Sequence, residues 1–88
     1  MRAAARNRTK TVNALLDKGA DIDARSNDGS TALILAAQQG ATSSAKVLLA
    51  RGADVNAKTN DGETALTIAT SKGHKGIVQP LEDAGAKE

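Results

Sequence analysis

The chain is short and carries little net charge. It has 88 residues, with 12 Lys and Arg against 10 Asp and Glu, one histidine, no cysteine and no aromatic residue. The absence of cysteine excludes disulfide bonds, thiolate metal sites and cysteine nucleophiles. No stretch approaches the roughly 20 apolar residues of a membrane-spanning helix, so we expect one small cytoplasmic domain.

A segment of the sequence occurs twice. Residues 19–33 (GADIDARSNDGSTAL) return at 52–66 (GADVNAKTNDGETAL), 33 residues later. Other positions share the same phase, among them Gly19, Gly52 and Gly85, and Leu15, Leu48 and Leu81. A fixed period of this length predicts an array of similar units, none of which buries its apolar face alone.

The first complete unit, in chain order, begins with a turn and continues into a helix. The Asn-Asp-Gly sequence at 27–29 favours a turn, because Asn and Asp hydrogen-bond their own backbone and Gly accepts a positive φ. Thr31 stands where a helix N-cap is expected, and an apolar helix follows to about Gln39. Gly40 is placed to end that helix in the left-handed conformation.

A second helix is predicted from about Thr42 to Ala50. Ala45 and Leu48 lie on its apolar face and Lys46 faces solvent. An extended segment then leads into the next Asn-Asp-Gly turn. Both helices are too short to persist alone in water, so their stability must come from the stacking of one unit on the next.

The pattern Asp-Gly-x-Thr-Ala-Leu-x-x-Ala, then Gly, then Leu-Leu-x-x-Gly-Ala-Asp-Val-Asn-Ala closely resembles the ankyrin repeat, and the resemblance covers nearly the whole chain. It implies an all-α solenoid of helix–turn–helix units, from which β-hairpin or loop fingers project. It also implies three segments in a single domain: a truncated N-terminal repeat at 1–26, a complete repeat at 27–59 and a C-terminal capping repeat at 60–88.

The two ends of this array are expected to differ. Pro80 falls inside the last predicted helix, where proline removes an amide and clashes with a preceding carbonyl, so the helix either starts near Pro80 or kinks there. Glu82 stands where the previous repeat has leucine, which predicts a polar outer face. The first repeat lacks part of its inner helix and is expected to expose edges of Ala4, Val12 and Leu33.

Residues suited to catalysis are scarce. His74 matches a position at the helix–helix turn where ankyrin repeats commonly carry histidine, so we expect a structural role for it. A lone imidazole makes no zinc site without further ligands, and Ser43 and Ser44 lack a base to activate them. No phosphate-binding motif is present, and no aromatic residue is available to stack on bases. We therefore expect no enzymatic activity, no cofactor, no metal, and no nucleic-acid or membrane partner.

The resemblance implies a scaffold that binds a partner protein through its finger tips and its palm, the concave surface of the inner helices. The candidate contacts lie at the finger tips, on the palm, at the finger bases and near the helix ends, and they are Arg6, Arg25, Asn27, Asp28, Ser30, Gln38, Gln39, Arg51, Lys58, Asn60, Asp61, Glu63, Ser71 and Lys72. The tips are acidic or polar and the palm is more basic, which favours a partner of mixed charge. The alternative is a structural or assembly role, in which a monomer self-associates weakly through its N-terminal repeat.

Overall fold

Four complete helices make up most of the described chain. The structure is a computed structural model that describes residues 10, 13, 14, 16–19 and 21–86. Within those residues the complete helices are α1 (Ala32–Gln39), α2 (Thr42–Ala50), α3 (Ala65–Ser71) and α4 (Lys75–Asp83). Helical residues also precede Gly19, at 10, 13, 14, 16 and 17. None of the described helices is long and apolar enough to cross a bilayer.

The helices stack in two layers. Within each unit, α1 packs on α2 and α3 packs on α4. Between units, α1 packs against α3 and α2 packs against α4. One layer therefore contains the inner helices α1 and α3, and the other contains the outer helices α2 and α4. The all-α repeat architecture predicted from the sequence is confirmed.

The inner helices begin and end at residues that satisfy their terminal backbone groups. The Thr31 hydroxyl accepts a hydrogen bond from the Ile34 amide at 3.3 Å, and Gly40 ends α1 with a φ of 69°, a value that favours glycine. At the start of α3, the Thr64 hydroxyl accepts from the Thr67 amide at 3.2 Å, and the Thr67 hydroxyl accepts from the Thr64 amide at 2.9 Å. This reciprocal cap satisfies two amides that would otherwise be unpaired.

The core combines a few large aliphatic side chains with many alanines. The buried large side chains are Leu33, Ile34, Leu48, Leu66, Ile68, Ile77 and Leu81. Alanines at 36, 37, 45, 57, 65 and 69 are buried among them. Because alanine is small, it lets neighbouring helices approach closely, and its high helix propensity favours the short helices that carry it.

The predicted exposure of Leu33 is wrong. Its side chain is 1% exposed and belongs to the core cluster, against which Leu16 and Ile22, which precede α1, also pack. Ala4 and Val12, the other residues predicted at this edge, lie outside the described residues.

A finger precedes each inner helix: the first finger comprises residues 21–30 and the second comprises residues 53–63. Gly29 and Gly62 at their tips have φ values of 84° and 83°. The Gly29 amide donates to the Ser26 carbonyl at 2.9 Å, and the Gly62 amide donates to the Thr59 carbonyl at 2.9 Å. The two Asn-Asp-Gly sequences thus form the same turn. Neither finger contains a β-strand, so each finger is a loop closed by a hydrogen-bonded turn, the second of the two forms that the resemblance implied.

The second finger is hydrogen-bonded to the first. The Asn60 backbone amide donates to the Asp28 carbonyl at 3.0 Å, and the Asn60 side-chain amide donates to the Asn27 carbonyl at 3.1 Å. Closer to the helices, the Arg25 guanidinium donates to the Lys58 carbonyl at 2.8 Å. These bonds join equivalent parts of adjacent repeats, so each finger tip is positioned by the neighbouring finger as well as by its own turn.

His74 connects the two units at the turn between α3 and α4. Its Nδ1 lies 2.8 Å from the Ala37 carbonyl at the end of α1. A methyl group added at Gly40 would meet the His74 ring at 3.1 Å, so the imidazole packs directly over that glycine. Because the carbonyl can only accept, Nδ1 carries the proton and donates it. His74 therefore occupies the structural position that the sequence predicted.

We expect His74→Ala to lower the free energy of unfolding by about 1–3 kcal/mol, because the part-buried Ala37 carbonyl loses its donor. His74→Asn is the matched control, since an asparagine amide presents a donor close to the position of Nδ1 and should recover part of the loss. Urea denaturation followed by circular dichroism measures both changes. Equal stability of the alanine and wild-type proteins would show that this contact contributes nothing.

Pro80 does not mark the start of the last helix. α4 begins at Lys75, and both Gln79 and Pro80 are helical, so the alternative of a helix starting near Pro80 is wrong. Tertiary packing overrides the local penalty here, because Ile77 and Leu81 on the same helix are fully buried. Glu82 is exposed, in agreement with the polar outer face that was predicted for this helix.

Candidate partner-binding surface

Four of the predicted contact residues line one surface pocket on the palm. The pocket has a volume of about 490 Å³ and is lined by Gln38, Glu63, Ile68, Ser71 and Lys72. Gln38 comes from the end of α1, Ser71 and Lys72 come from the end of α3, and Glu63 comes from the second finger. The stacking of α3 beside α1 therefore assembles a site from segments of two adjacent repeats.

The pocket carries opposite charges and has one apolar lining residue, Ile68. Ile68 is 3% exposed, whereas Glu63, Ser71 and Lys72 are exposed and Gln38 is half-buried. The salt bridge found in the described part of the chain joins other residues, Arg51 and Asp17. The Glu63 carboxylate and the Lys72 ammonium thus have no ion-pair partner among the described residues, and both charges face solvent.

The first finger tip is held by its own hydrogen bonds. The Asp28 carboxylate accepts from the Ser26 hydroxyl and, at 3.1 Å, from the Ser30 amide. These bonds, chiefly the one from Ser26, hold the pKa of the Asp28 carboxyl below its ordinary value, because they favour the ionised form. Asp28 therefore forms the turn, and its carboxylate is already engaged on its inner side.

We expect Asp28→Asn to make the stability of the protein less sensitive to acid. A carboxyl whose pKa is lower in the folded chain stabilises the fold above its unfolded pKa, and this contribution is lost as the pH falls through the folded pKa. Urea titrations of both proteins from neutral to strongly acidic pH measure the difference. Asp61→Asn is the matched control, because no described residue donates a hydrogen bond to the Asp61 carboxylate. The same flattening in both variants would contradict the assignment.

Ser30 does not lie on an accessible surface. It is 2% exposed, and its hydroxyl makes no hydrogen bond of normal geometry to a described residue, although it lies close enough to Asp28 to contribute to the lowered pKa of that carboxyl. Its side chain is therefore not accessible at the finger tip in this structure, and the contact predicted for it stays a prediction. Glu63, which occupies the same position one repeat later, is exposed. The first finger is bonded to the second through Asn60, and no third finger follows the second among the described residues.

The remaining predicted contacts are divided between the fingers and the outer layer. At the second finger tip Asp61 and Asn60 are exposed, as is Gln39 on α1. Arg51 follows α2, and its guanidinium donates to Asp17 at 2.8 Å and to Asn13 at 3.1 Å. It thus joins two outer segments and contributes nothing to the palm pocket. Arg25, Asn27 and Lys58 take part in the bonds between the fingers, and Arg6 lies outside the described residues.

A second pocket was not expected from the sequence. It has a volume of about 340 Å³ and lies between α3 and α4, lined by Ala69, Thr70, Gly73, Lys75, Val78 and Gln79. One period earlier, at Gly40, the His74 ring fills the equivalent position. The 33-residue phase shared by Gly40 and Gly73 is the sequence signal that could have indicated it. As for metal binding, no group of three His, Asp or Glu in the described residues is arranged to hold an ion.

Paired helices joined by glycine-ended turns, with fingers bonded to one another at equivalent positions, define a helical repeat solenoid. A family model of ankyrin repeats, in three copies, matches residues 1–87. The chain therefore belongs to the ankyrin repeat family, whose members are generally protein–protein interaction modules and typically not enzymes. A comparison with curated proteins finds no match to this chain.

Proposed function

We propose that this protein is a non-enzymatic binding module that recognises a partner protein through the palm pocket and the second finger tip. The single observation that carries the proposal is the pocket lined by Gln38, Glu63, Ser71 and Lys72. Family membership supports a protein as the ligand. The pocket supports the palm as the binding surface, because it brings side chains from two repeats together at one accessible site.

The chemistry of the pocket favours a partner of mixed charge. Glu63 and Lys72 place a carboxylate and an ammonium at the same pocket, and neither forms an ion pair with a described residue. A partner that presents a cationic side chain to Glu63 and a carboxylate to Lys72 would gain two complementary contacts, whereas a uniformly charged partner would be repelled by one of them. Ile68 supplies a small apolar contact beneath these charges.

Charge reversal in the palm tests this proposal. Peptides selected from a displayed peptide library on the wild-type protein would be measured by fluorescence polarisation against Glu63→Lys and Lys72→Glu. We expect each reversal to weaken binding by about tenfold or more, which is about 1.4 kcal/mol. Lys46→Glu is the matched control, because Lys46 is an exposed lysine on the outer helix α2.

Two outcomes would contradict the proposal. Lys46→Glu could weaken binding as much as Lys72→Glu. That result would mean that the partner binds elsewhere or responds only to the net charge of the protein. Alternatively, both palm reversals could leave binding unchanged. Selected peptides should also contain acidic and basic residues together, and a set that is uniformly apolar would argue against the partner chemistry proposed here.

The assembly role remains the alternative proposal. It rests on the N-terminal repeat, much of which lies outside the described residues, and no contact in the described part favours it. Light scattering over a range of protein concentrations separates the two functions. A mass that rises with concentration supports assembly, whereas a constant monomer mass supports a simple binding module.

A further inference from the structure

The two Asn-Asp-Gly turns have the same backbone shape but different chemical surroundings. An aspartate followed by glycine is open to an intramolecular reaction in which the glycine amide nitrogen attacks the side-chain carboxyl carbon. One water leaves and a cyclic succinimide forms. Water then opens either carbonyl of the ring, which regenerates aspartate or gives isoaspartate with one extra carbon in the main chain. The reaction needs no oxidant or cofactor, so structure alone decides which turn reacts.

The Asp28–Gly29 turn is restrained by hydrogen bonds and by close packing. The Asp28 carboxylate accepts hydrogen bonds from Ser26 and Ser30, and the Asp28 carbonyl accepts one from the Asn60 amide at 3.0 Å. Gly29 is buried, and a methyl group added to it would come within 2.7 Å of the Asn60 side chain. Attack by the Gly29 nitrogen requires the carboxyl group to leave its donors and swing over the backbone, and these contacts oppose that movement.

The Asp61–Gly62 turn lacks each of these restraints. Thr59 replaces Ser26 in this repeat, and the Thr59 hydroxyl itself accepts the Glu63 amide at 3.2 Å. In the first finger the Ser30 amide donates to Asp28. The equivalent amide of the second finger, that of Glu63, donates to Thr59 and is not available to Asp61. The Asp61 carboxylate has no hydrogen-bond partner among the described residues. Gly62 is exposed, and no atom of the described residues lies within 4 Å of a methyl group added there.

We propose that Asp61 is a site of spontaneous isomerisation to isoaspartate in the folded protein, and that the same reaction at Asp28 is suppressed by the fold. The inference rests on the unequal restraint of two turns with identical Asn-Asp-Gly sequences. Because isoaspartate lengthens the main chain at the second finger tip, the modification alters the shape of the turn and moves its carboxylate. Its consequence is a slow chemical change at an exposed tip of the domain.

The test follows both turns in one sample of the full chain. Folded protein is incubated in mildly acidic buffer and then digested with a protease that cleaves before aspartate but not before isoaspartate. We expect a progressive loss of cleavage before Asp61, with cleavage before Asp28 retained. In concentrated urea the fold is absent, and both sites should lose cleavage at similar rates because their local sequences match.

Ser26→Ala provides a matched variant. It removes the hydroxyl that holds the Asp28 carboxylate, and Ser26 is exposed, so the fold should tolerate the change. We expect this variant to begin losing cleavage before Asp28. Equal loss at both sites in folded wild-type protein would overturn the proposal. So would full retention of cleavage at Asp61 under conditions where the urea-treated chain reacts.

Discussion

Gly29→Ala should destabilise the protein far more than Gly62→Ala, although both glycines have nearly the same φ, 84° and 83°. Alanine in a left-handed conformation costs about 1–2 kcal/mol, and this strain applies to both variants. At Gly29 the new methyl group also comes within 2.7 Å of the Asn60 side chain and 2.8 Å of its backbone nitrogen. Relieving such an overlap typically costs a further ~1–3 kcal/mol. At Gly62 the corresponding space is open.

Urea denaturation of the two variants measures the difference directly, because subtracting one loss from the other removes the shared φ strain. Gly29→Ala combined with Asn60→Ala refines the comparison. Since the Asn60 backbone also opposes the methyl group, the double variant should recover only part of the loss. Equal destabilisation by Gly29→Ala and Gly62→Ala would mean that the fingers do not pack as closely as this structure has them.

The contrast between these glycines explains which features of the fold could be predicted from the sequence. Residue type and spacing determine what happens inside one repeat. Thr31 caps α1, because its hydroxyl accepts a hydrogen bond from a backbone amide of the first turn. Gly40 ends α1, because a residue without a side chain adopts the left-handed conformation without strain. The bounds of α1 and α2, the Asn-Asp-Gly turns and the position of His74 could therefore be predicted, whereas the start of α4 could not, because Pro80 left two alternatives open.

Features that depend on the place of a repeat within the stack were harder to predict. Ser30 and Glu63 occupy equivalent positions, yet Ser30 is buried and Glu63 is exposed. A periodic sequence suggests the same environment for both, but the first finger is covered by the second. Asp28 and Asp61 differ for another reason: serine at 26 becomes threonine at 59, and the two hydroxyls make different hydrogen bonds.

The candidate site illustrates both kinds of feature. Gln38, Glu63, Ser71 and Lys72 were predicted as contacts from their positions in the repeat, and the stacking of two repeats brings them to one pocket. Arg51 was predicted on the same basis, yet its guanidinium binds Asp17 and Asn13 in the outer layer. A match to a repeat position predicts where the backbone of a residue lies in the fold. The direction in which its side chain points depends on hydrogen-bond partners far away in the sequence, as at Arg51.

Ile77→Ala should cause one of the largest losses of stability in the chain. Ile77 lies on α4 with no exposed side-chain surface, and its truncation leaves a cavity in the core cluster to which it belongs. Isoleucine-to-alanine changes in protein cores cost about 2–5 kcal/mol, which is a large part of the about 5–15 kcal/mol that stabilises a typical domain. The equivalent position in α2 is Ser44, so no second isoleucine at this level compensates for the loss.

Val78→Ala is the matched control, because Val78 is the next residue on the same helix but is half-buried beside the open pocket between α3 and α4. Its truncation removes less buried surface and should cost clearly less. Urea denaturation compares the two variants, and hydrogen exchange shows where the loss is felt. Because α4 packs on both α3 and α2, amide protection should fall in all three helices in Ile77→Ala. A loss of protection confined to α4, or a loss of stability no larger than that of Val78→Ala, would contradict this prediction. Either result would mean that the two repeats stabilise one another through contacts other than those of Ile77.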